Sequence, residues 1–388
     1  MLGILAIALG LLGGALVQPS PAANVVPIQI VNNHVVVDVT LDGAGPFHFI
    51  VDSGAGNLID PAVAAAIGAH VRGRVRLVGV GGRTESGSLT RIHRVGIGAA
   101  TFVDQRFVVA AAHATFAAAE GPPVDGLIGR AIIGSSVTVF DYARRTLTFD
   151  AGDAAVAGDG GIVLPASVVD GEPHVPCRLA NVRGSCAIDT GSRLNVTVLA
   201  PFTKQFPAVV PAALSASGVD GYGIGGAAYG RLGRLARLAF GPLELTDIVT
   251  DFSEQQRGAF ASTRTAANVG GGVLRRFTLA FDLAHGRIGF RPNADFFAPD
   301  DVDRSGLFLI ARENAVEVLD VRPQTPAQRA GIVAGDRIVS AGGEPQVPQA
   351  LPQLRALLAG PADSHVRLTI ARAGASMRTV DLRLDDYL

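Results

Sequence analysis

The sequence predicts a mainly β protein: two lobes on one plan, then a small α+β unit. Three observations carry this. Short apolar runs with period-two alternation recur along the chain between glycine, asparagine and proline turns, and convincing helical stretches are few. A set of markers in the first half returns in the same order in the second. Beyond a polar, proline-containing stretch, the last hundred residues or fewer carry their own strands and one helical stretch. At 388 residues the chain exceeds one ordinary core, and 48% apolar content can fill several.

From the N-terminus, no charged side chain precedes Asp38, and residues 1–17 are continuously apolar or glycine. Pro19 to Ala23 then supply small residues near a cleavage point, as in a secretory signal. The run falls short of the ~20 residues of a comfortable membrane span. No Lys or Arg precedes it, so an uncleaved N-terminal anchor, tethering the chain to a membrane, is the alternative. The expected location is periplasmic or secreted, or membrane-anchored.

Strands follow at 26–30, 34–39 and 47–51, and 61–67 suits a short alanine-rich helix. The third strand ends in Phe49-Ile50-Val51-Asp52-Ser53-Gly54. Leu77-Val78-Gly79-Val80-Gly81-Gly82 and the polar residues after it read as a mobile ribbon with Gly81 and Gly82 at its tip. Leu127-Ile128-Gly129 and the hairpin around Phe140-Asp141 close the first half.

The second half repeats this. Ala187-Ile188-Asp189-Thr190-Gly191 matches the first acidic turn, and Tyr222-Gly223-Ile224-Gly225-Gly226 matches the ribbon tip. Asn268-Val269-Gly270 stands where Leu127-Ile128-Gly129 stood. Twelve residues separate Gly129 from Asp141 and Gly270 from Asp282 alike; 77 and 81 separate the acidic turns from those glycines. Two such halves suit a pseudo-two-fold arrangement with Asp52 and Asp189 at the axis. Close carboxylates cannot readily both ionise, so one is an acid while the other is a base, the chemistry that activates water against a peptide carbonyl. Asp141 and Asp282 read as structural acids at hairpin corners.

These motifs resemble a retropepsin-like aspartic peptidase whose two subunits are fused into one chain, with the two-lobed plan of pepsin, over about residues 25–293. The resemblance implies that Asp52 and Asp189 share a proton and hold the attacking water. It implies that Ser53 and Thr190 interlock the turns, that Gly54 and Gly191 permit their packing, and that Gly81, Gly82, Gly225 and Gly226 sit at flap tips with their N–H groups near substrate. Three departures stand out: Ser53 where threonine is usual, Asn268 where an apolar residue is expected, and no tyrosine at an obvious position after the first flap.

Cys177 and Cys186 are the only cysteines. A two-residue turn at Asn181-Val182 would set them directly opposite, leaving two readings: a hairpin disulfide, or two reduced thiols. The eight histidines are scattered without a His-x-x-x-His pair, so no metal is expected, and no other cofactor. No Gly-x-Ser-x-Gly elbow supports a serine triad. A net charge of −1 gives no reason to expect nucleic acid.

The tail resembles a PDZ domain through Thr325-Pro326-Ala327-Gln328-Arg329-Ala330-Gly331, Gly335-Asp336-Arg337-Ile338-Val339 and the loop Gly306-Leu307-Phe308-Leu309. The resemblance implies that the loop's N–H groups receive a peptide's terminal carboxylate and that the peptide adds as a strand beside residues 308–310. The alternative is a unit that only packs on the protease core. The chain thus divides into a signal or anchor (1–23), a first lobe (24–155), a second lobe (156–293), a linker (294–303) and a PDZ domain (304–388). The expectation is a monomeric aspartic endopeptidase acting on polypeptides, with peptide termini bound at the tail. The rival is a non-catalytic peptide-binding protein that retains the cleft.

Overall fold

The computed structural model describes residues 24–388; the leader read at 1–23 lies outside them. Each lobe is built on an eight-stranded sheet, and the two sheets have the same strand order. In the first it runs Gln29–Val31, His34–Leu41, Ala44–Asp52, Gly126–Gly129, Leu58–Ile59, Ala100–Val109, Glu85–Ile97, Arg72–Leu77. In the second it runs Ser167–Val169, Glu172–Leu179, Val182–Ile188, Ala267–Val269, Val196–Val198, Leu243–Ser253, Gly226–Phe240, Gly218–Gly223. The sequence repeat is therefore a structural repeat.

In both lobes the strand leading to the acidic turn pairs in parallel with the strand that ends in the apolar-glycine marker, Asp52 opposite Gly129 and Ile188 opposite Val269. Where they meet at the lobe centre, these strands are buried on both faces, and apart from Asn268 the residues leading to each acid and its marker glycine are apolar or glycine. The short helix Pro61–Ala66 begins where the sequence provides for it: Asp60 accepts from Ala62 N at 2.9 Å and Pro61 opens the first turn.

A six-stranded sheet joins the lobes. Its middle pair is Thr138–Asp141 against Phe277–Asp282, one strand from each half, with Phe140 edge-on to Phe281 at 5.2 Å. Asn24–Pro27 and Ile162–Pro165 close its two edges. Asp141 and Asp282 serve the corners: Asp141 accepts from Arg144 N at 2.9 Å, and Asp282 accepts from Arg287 Nε at 2.5 Å.

Residues beyond 304 form a separate sheet, ordered Leu307–Arg312, Ala315–Val321, Arg337–Ala341, His365–Ala371, Arg378–Arg383, with helices Pro326–Arg329 and Leu351–Leu358 over a core of their own. This unit docks on the second lobe. Arg322 is buried there, paired with Asp220 and donating to Ser215 Oγ at 3.1 Å. Among the described residues, no helix is long and apolar enough to cross a membrane.

Candidate active site

The two acidic turns meet at the lobe interface, and four hydrogen bonds cross between them. Ser53 N donates to Thr190 Oγ1 at 2.9 Å and Thr190 N to Ser53 Oγ at 3.0 Å. Each hydroxyl then donates to the opposite strand, Ser53 Oγ to Ile188 O and Thr190 Oγ1 to Val51 O, both at 2.7 Å. Ser53 and Thr190 are fully buried, so none of these groups has water as a substitute.

The interlock sets the carboxylates face to face. Gly54 N donates to Asp52 Oδ1 at 2.8 Å, and Gly191 N to Asp189 Oδ1 at 2.9 Å. A Cβ on Gly54 would lie 2.7 Å from Asp189 Oδ1, and one on Gly191 would overlap the Asp52 carboxyl. Glycine is required here by the partner acid, not by backbone angle. Asp52 is buried while Asp189 is half-buried, so the pair opens to solvent on one side. Burial first, then the Asp189 charge, pushes the Asp52 carboxyl well above the usual carboxylate range, with the Gly54 N–H opposing.

Two groups that sequence reasoning passed over, or noted only as a departure, belong to this site. Asn268, buried on the strand beside Asp189, donates from Nδ2 to Asp189 Oδ2 at 2.7 Å. Its signal was on view as the polar residue at an apolar marker. Glu172, on a neighbouring strand, is pushed up to about 8 by burial and then by the Asp189 charge, with Arg130 pulling the other way. Nothing local distinguishes Glu172 from an ordinary turn glutamate.

The two ribbons close over one another. The first joins Arg72–Leu77 to Glu85–Ile97, the second Gly218–Gly223 to Gly226–Phe240. At their tips Gly81 N donates to Ile224 O at 3.0 Å and Arg83 N to Gly225 O at 3.3 Å. Ile224 packs among first-lobe residues Ile50, Leu58 and Leu127, and Val80 among second-lobe residues Leu199, Ala228 and Phe260. Gly81 leaves no room for a side chain against Gly225, whereas Gly82 faces open space. Gly226 is also at the tip, with φ +95°. One expectation is corrected: the Gly81 and Gly225 N–H groups do not await a substrate, since Gly225 N donates to Glu85 Oε1 at 2.8 Å and Gly81 N reaches across the flaps.

Residues 37–132 match the family model for aspartyl protease, and residues 317–372 match that for the PDZ domain. The chain carries an aspartyl-protease domain and a PDZ domain. Its protease part is two-lobed, and the matched stretch contains Asp52 of the first lobe. Among solved structures, an aspartic proteinase from Irpex lacteus is similar at 16% identity, covering 71% of this chain and 99% of that chain with a TM-score of 0.48. No curated protein sequence matches the chain.

In the PDZ domain the structure departs from the binding geometry expected of Gly306-Leu307-Phe308-Leu309. Gly306 N donates to Asp303 Oδ1 at 2.7 Å and Leu307 N to Ser305 Oγ at 3.1 Å, so the linker's own carboxylate occupies part of the loop. The adjoining strand is not an open edge. Phe308 and Ile310 are buried against Val219, Arg193 lies 5.4 Å over the Phe308 ring, and the first-lobe turn Ala118–Glu120 runs alongside. Arg355, on the helix facing that strand, donates from Nη2 to both Leu309 O at 3.0 Å and Ala119 O at 2.6 Å. The groove between strand and helix is therefore crossed by the protease itself, with a cavity of about 540 Å3 on the Gly306 side and one of about 820 Å3 on the Arg312 side.

Cys177 and Cys186 are bonded, with Cα atoms 5.9 Å apart. They are not directly opposite, however. Cys177 faces Gly184 and Cys186 faces Val175, because the turn falls at Ala180-Asn181, one residue earlier than the sequence suggests. The bond staples the strand that delivers Asp189. Asp153, Asp282 and His285 come near enough to share a cation, but Arg287 already bridges the two acids.

Proposed function

We propose that the protein is an aspartic endopeptidase in which Asp52 and Asp189 share one proton and activate a water against a substrate peptide bond. The observation that carries this is the reciprocal Ser53–Thr190 interlock, which holds two carboxylates side by side where the lobes meet. In the reaction the ionised carboxylate takes a proton from the water while the protonated one donates to the carbonyl oxygen; the proton then passes to the leaving nitrogen. The flaps bind the substrate as an extended strand and exclude bulk water once they close again. Ile224 and Val80 must leave the opposite lobe for the cleft to open.

Polypeptides are the proposed substrates. In this reading the PDZ domain takes peptide segments only after Ala118–Glu120 leaves its groove, so docking on the protease is its resting state. Export to the periplasm or beyond fits a chain with a disulfide beside its catalytic strand. The test is cleavage of an unfolded protein substrate by Asp52→Asn and Asp189→Asn. Both variants should lose at least ~1,000-fold in kcat while melting like the parent. Normal cleavage by either would overturn the assignment. A parent that binds a statine-type inhibitor yet turns over nothing at any pH would instead mark a peptide-binding protein.

A further inference from the structure

We propose that Asn268 is a positioning residue that assigns the two acids their roles, keeping the charge on Asp189 and the proton on Asp52. This deepens the peptidase reading and rests on it. The pseudo-symmetry makes the case sharp, because it shows what each half does at an equivalent place.

In the first lobe the marker strand carries Leu127 opposite Ile50, and both side chains lie in an apolar cluster with Leu58 and Val124. In the second lobe the same pair is Asn268 opposite Ala187. The smaller alanine accompanies the polar residue, and the amide turns to the acid: Nδ2 donates to Asp189 Oδ2 at 2.7 Å. Each acid already receives a glycine N–H on Oδ1, so these bonds cancel between the halves. The Asn268 bond does not cancel. Among the described residues, no side chain donates to Asp52 in the same way.

The direction of the bond carries the assignment. A carboxylate that accepts an N–H is favoured in its charged form; a carboxylic acid would gain less from the same contact. Asn268 is buried, and its Oδ1 has no partner, so the amide is held by what its NH2 group donates to. Thr197, directly across on the neighbouring strand, makes no hydrogen bond to the Asn268 amide and does not compete. The other ionisable groups facing the pair are Asp52, Glu172 and Tyr142, with Asp251 two strands from Asn268; the cation Arg130 bears on Glu172 and donates to Gly171 O, not to either carboxylate of the dyad. Asn268 is therefore the one asymmetric donor at the dyad. Asp189 is then the base that takes the water's proton, and Asp52 the acid that polarises the carbonyl.

The test is Asn268→Leu, which installs the first lobe's residue. Loss of the donor makes the first ionisation of the dyad harder, so the acid limb of the kcat/KM profile should move up by about one pH unit, with the alkaline limb in place. A folded variant whose acid limb does not move overturns the inference, whatever its melting temperature. If leucine prevents folding, Asn268→Ala carries the same expectation. Titrating 13C-labelled aspartate carboxyls in parent and variant reads the same shift without turnover. A dyad that titrates as expected in a protein that cleaves nothing would sink the peptidase reading and leave this one standing.

Discussion

Thr190→Val isolates the energetics of the interlock. The substitution keeps shape and removes one hydroxyl, so no cavity opens at this fully buried position. Two partners are stranded: Val51 O loses its donor at 2.7 Å and Ser53 N loses its acceptor at 2.9 Å. Each buried unpaired group costs about 1–3 kcal/mol, so the sum is roughly 2–6 kcal/mol, a large share of the ~5–15 kcal/mol that holds a domain folded. At about 2–4 °C per kcal/mol for units of this size, that corresponds to a fall of roughly 4–24 °C in melting temperature. Differential scanning calorimetry at pH 5 measures it directly. The other half of the lock, Ser53 Oγ to Ile188 O and Thr190 N to Ser53 Oγ, stays intact, so Ser53→Ala should cost a similar amount. The double variant should lose less than the sum of the two, because the hydroxyls act as one unit. A Thr190→Val protein that melts within about 2 °C of the parent would refute the claim that these bonds hold the lobes in register.

Two further outcomes are expected. Burial and the Asp189 charge push the Glu172 carboxyl up to about 8 from its ordinary 4.5, so its contribution to stability is complete below pH 4.5 and is lost as pH rises through 8. The melting temperature should therefore fall between pH 5 and pH 8, and Glu172→Gln should flatten that fall; an unchanged slope would contradict the placement of Glu172 beside Asp189. Gly121 has φ +92° and no space for a Cβ against Pro348 O, so Gly121→Ala should loosen the first-lobe turn from the PDZ groove and speed limited proteolysis between residues 294 and 303. Unchanged cleavage there would mean that the turn does not hold the two units together.

What was legible in the sequence was what is local and doubled. Asp52-Ser53-Gly54 and Asp189-Thr190-Gly191 each contain the whole of their turn, and the repeat puts the two on one axis, so the dyad, its hydroxyls and its glycines could be read from residues alone. The position of the two ribbon tips was legible for the same reason, but not that Gly81 N and Gly225 N are already bonded there. What escaped depends on packing between distant segments. The cysteine register failed by one residue because Ala180 takes a left-handed conformation, φ 51°, which nothing about alanine announces. Glu172 looks like any turn glutamate until burial raises it. The filled PDZ groove rests on Arg355 reaching Ala119, a contact across more than two hundred residues that no motif encodes. Asn268 lies between these cases: the sequence marks it as odd, and only the geometry says what the oddity is for.

A symmetric pair of lobes makes a good cradle for two carboxylates and a poor one for deciding between them. Two lobes in one chain need not be identical, and they differ in three places. At the dyad, Asn268 faces Asp189 where Leu127 faces apolar neighbours. On the delivering strands, only the second lobe has a disulfide. At the flaps, the first ribbon's outer strand Arg72–Leu77 is largely exposed, whereas the second's, Gly218–Gly223, is fastened to the PDZ domain through Asp320 accepting from Val219 N at 2.8 Å and Arg322 against Asp220. All three departures fix the second lobe and leave the first freer. The acid bonded by Asn268, the stapled strand and the anchored flap thus lie on one side of the lobe interface. The first ribbon is held at its tip by the second lobe, and the first lobe's tie to the PDZ domain runs through Ala118–Glu120 rather than through its ribbon.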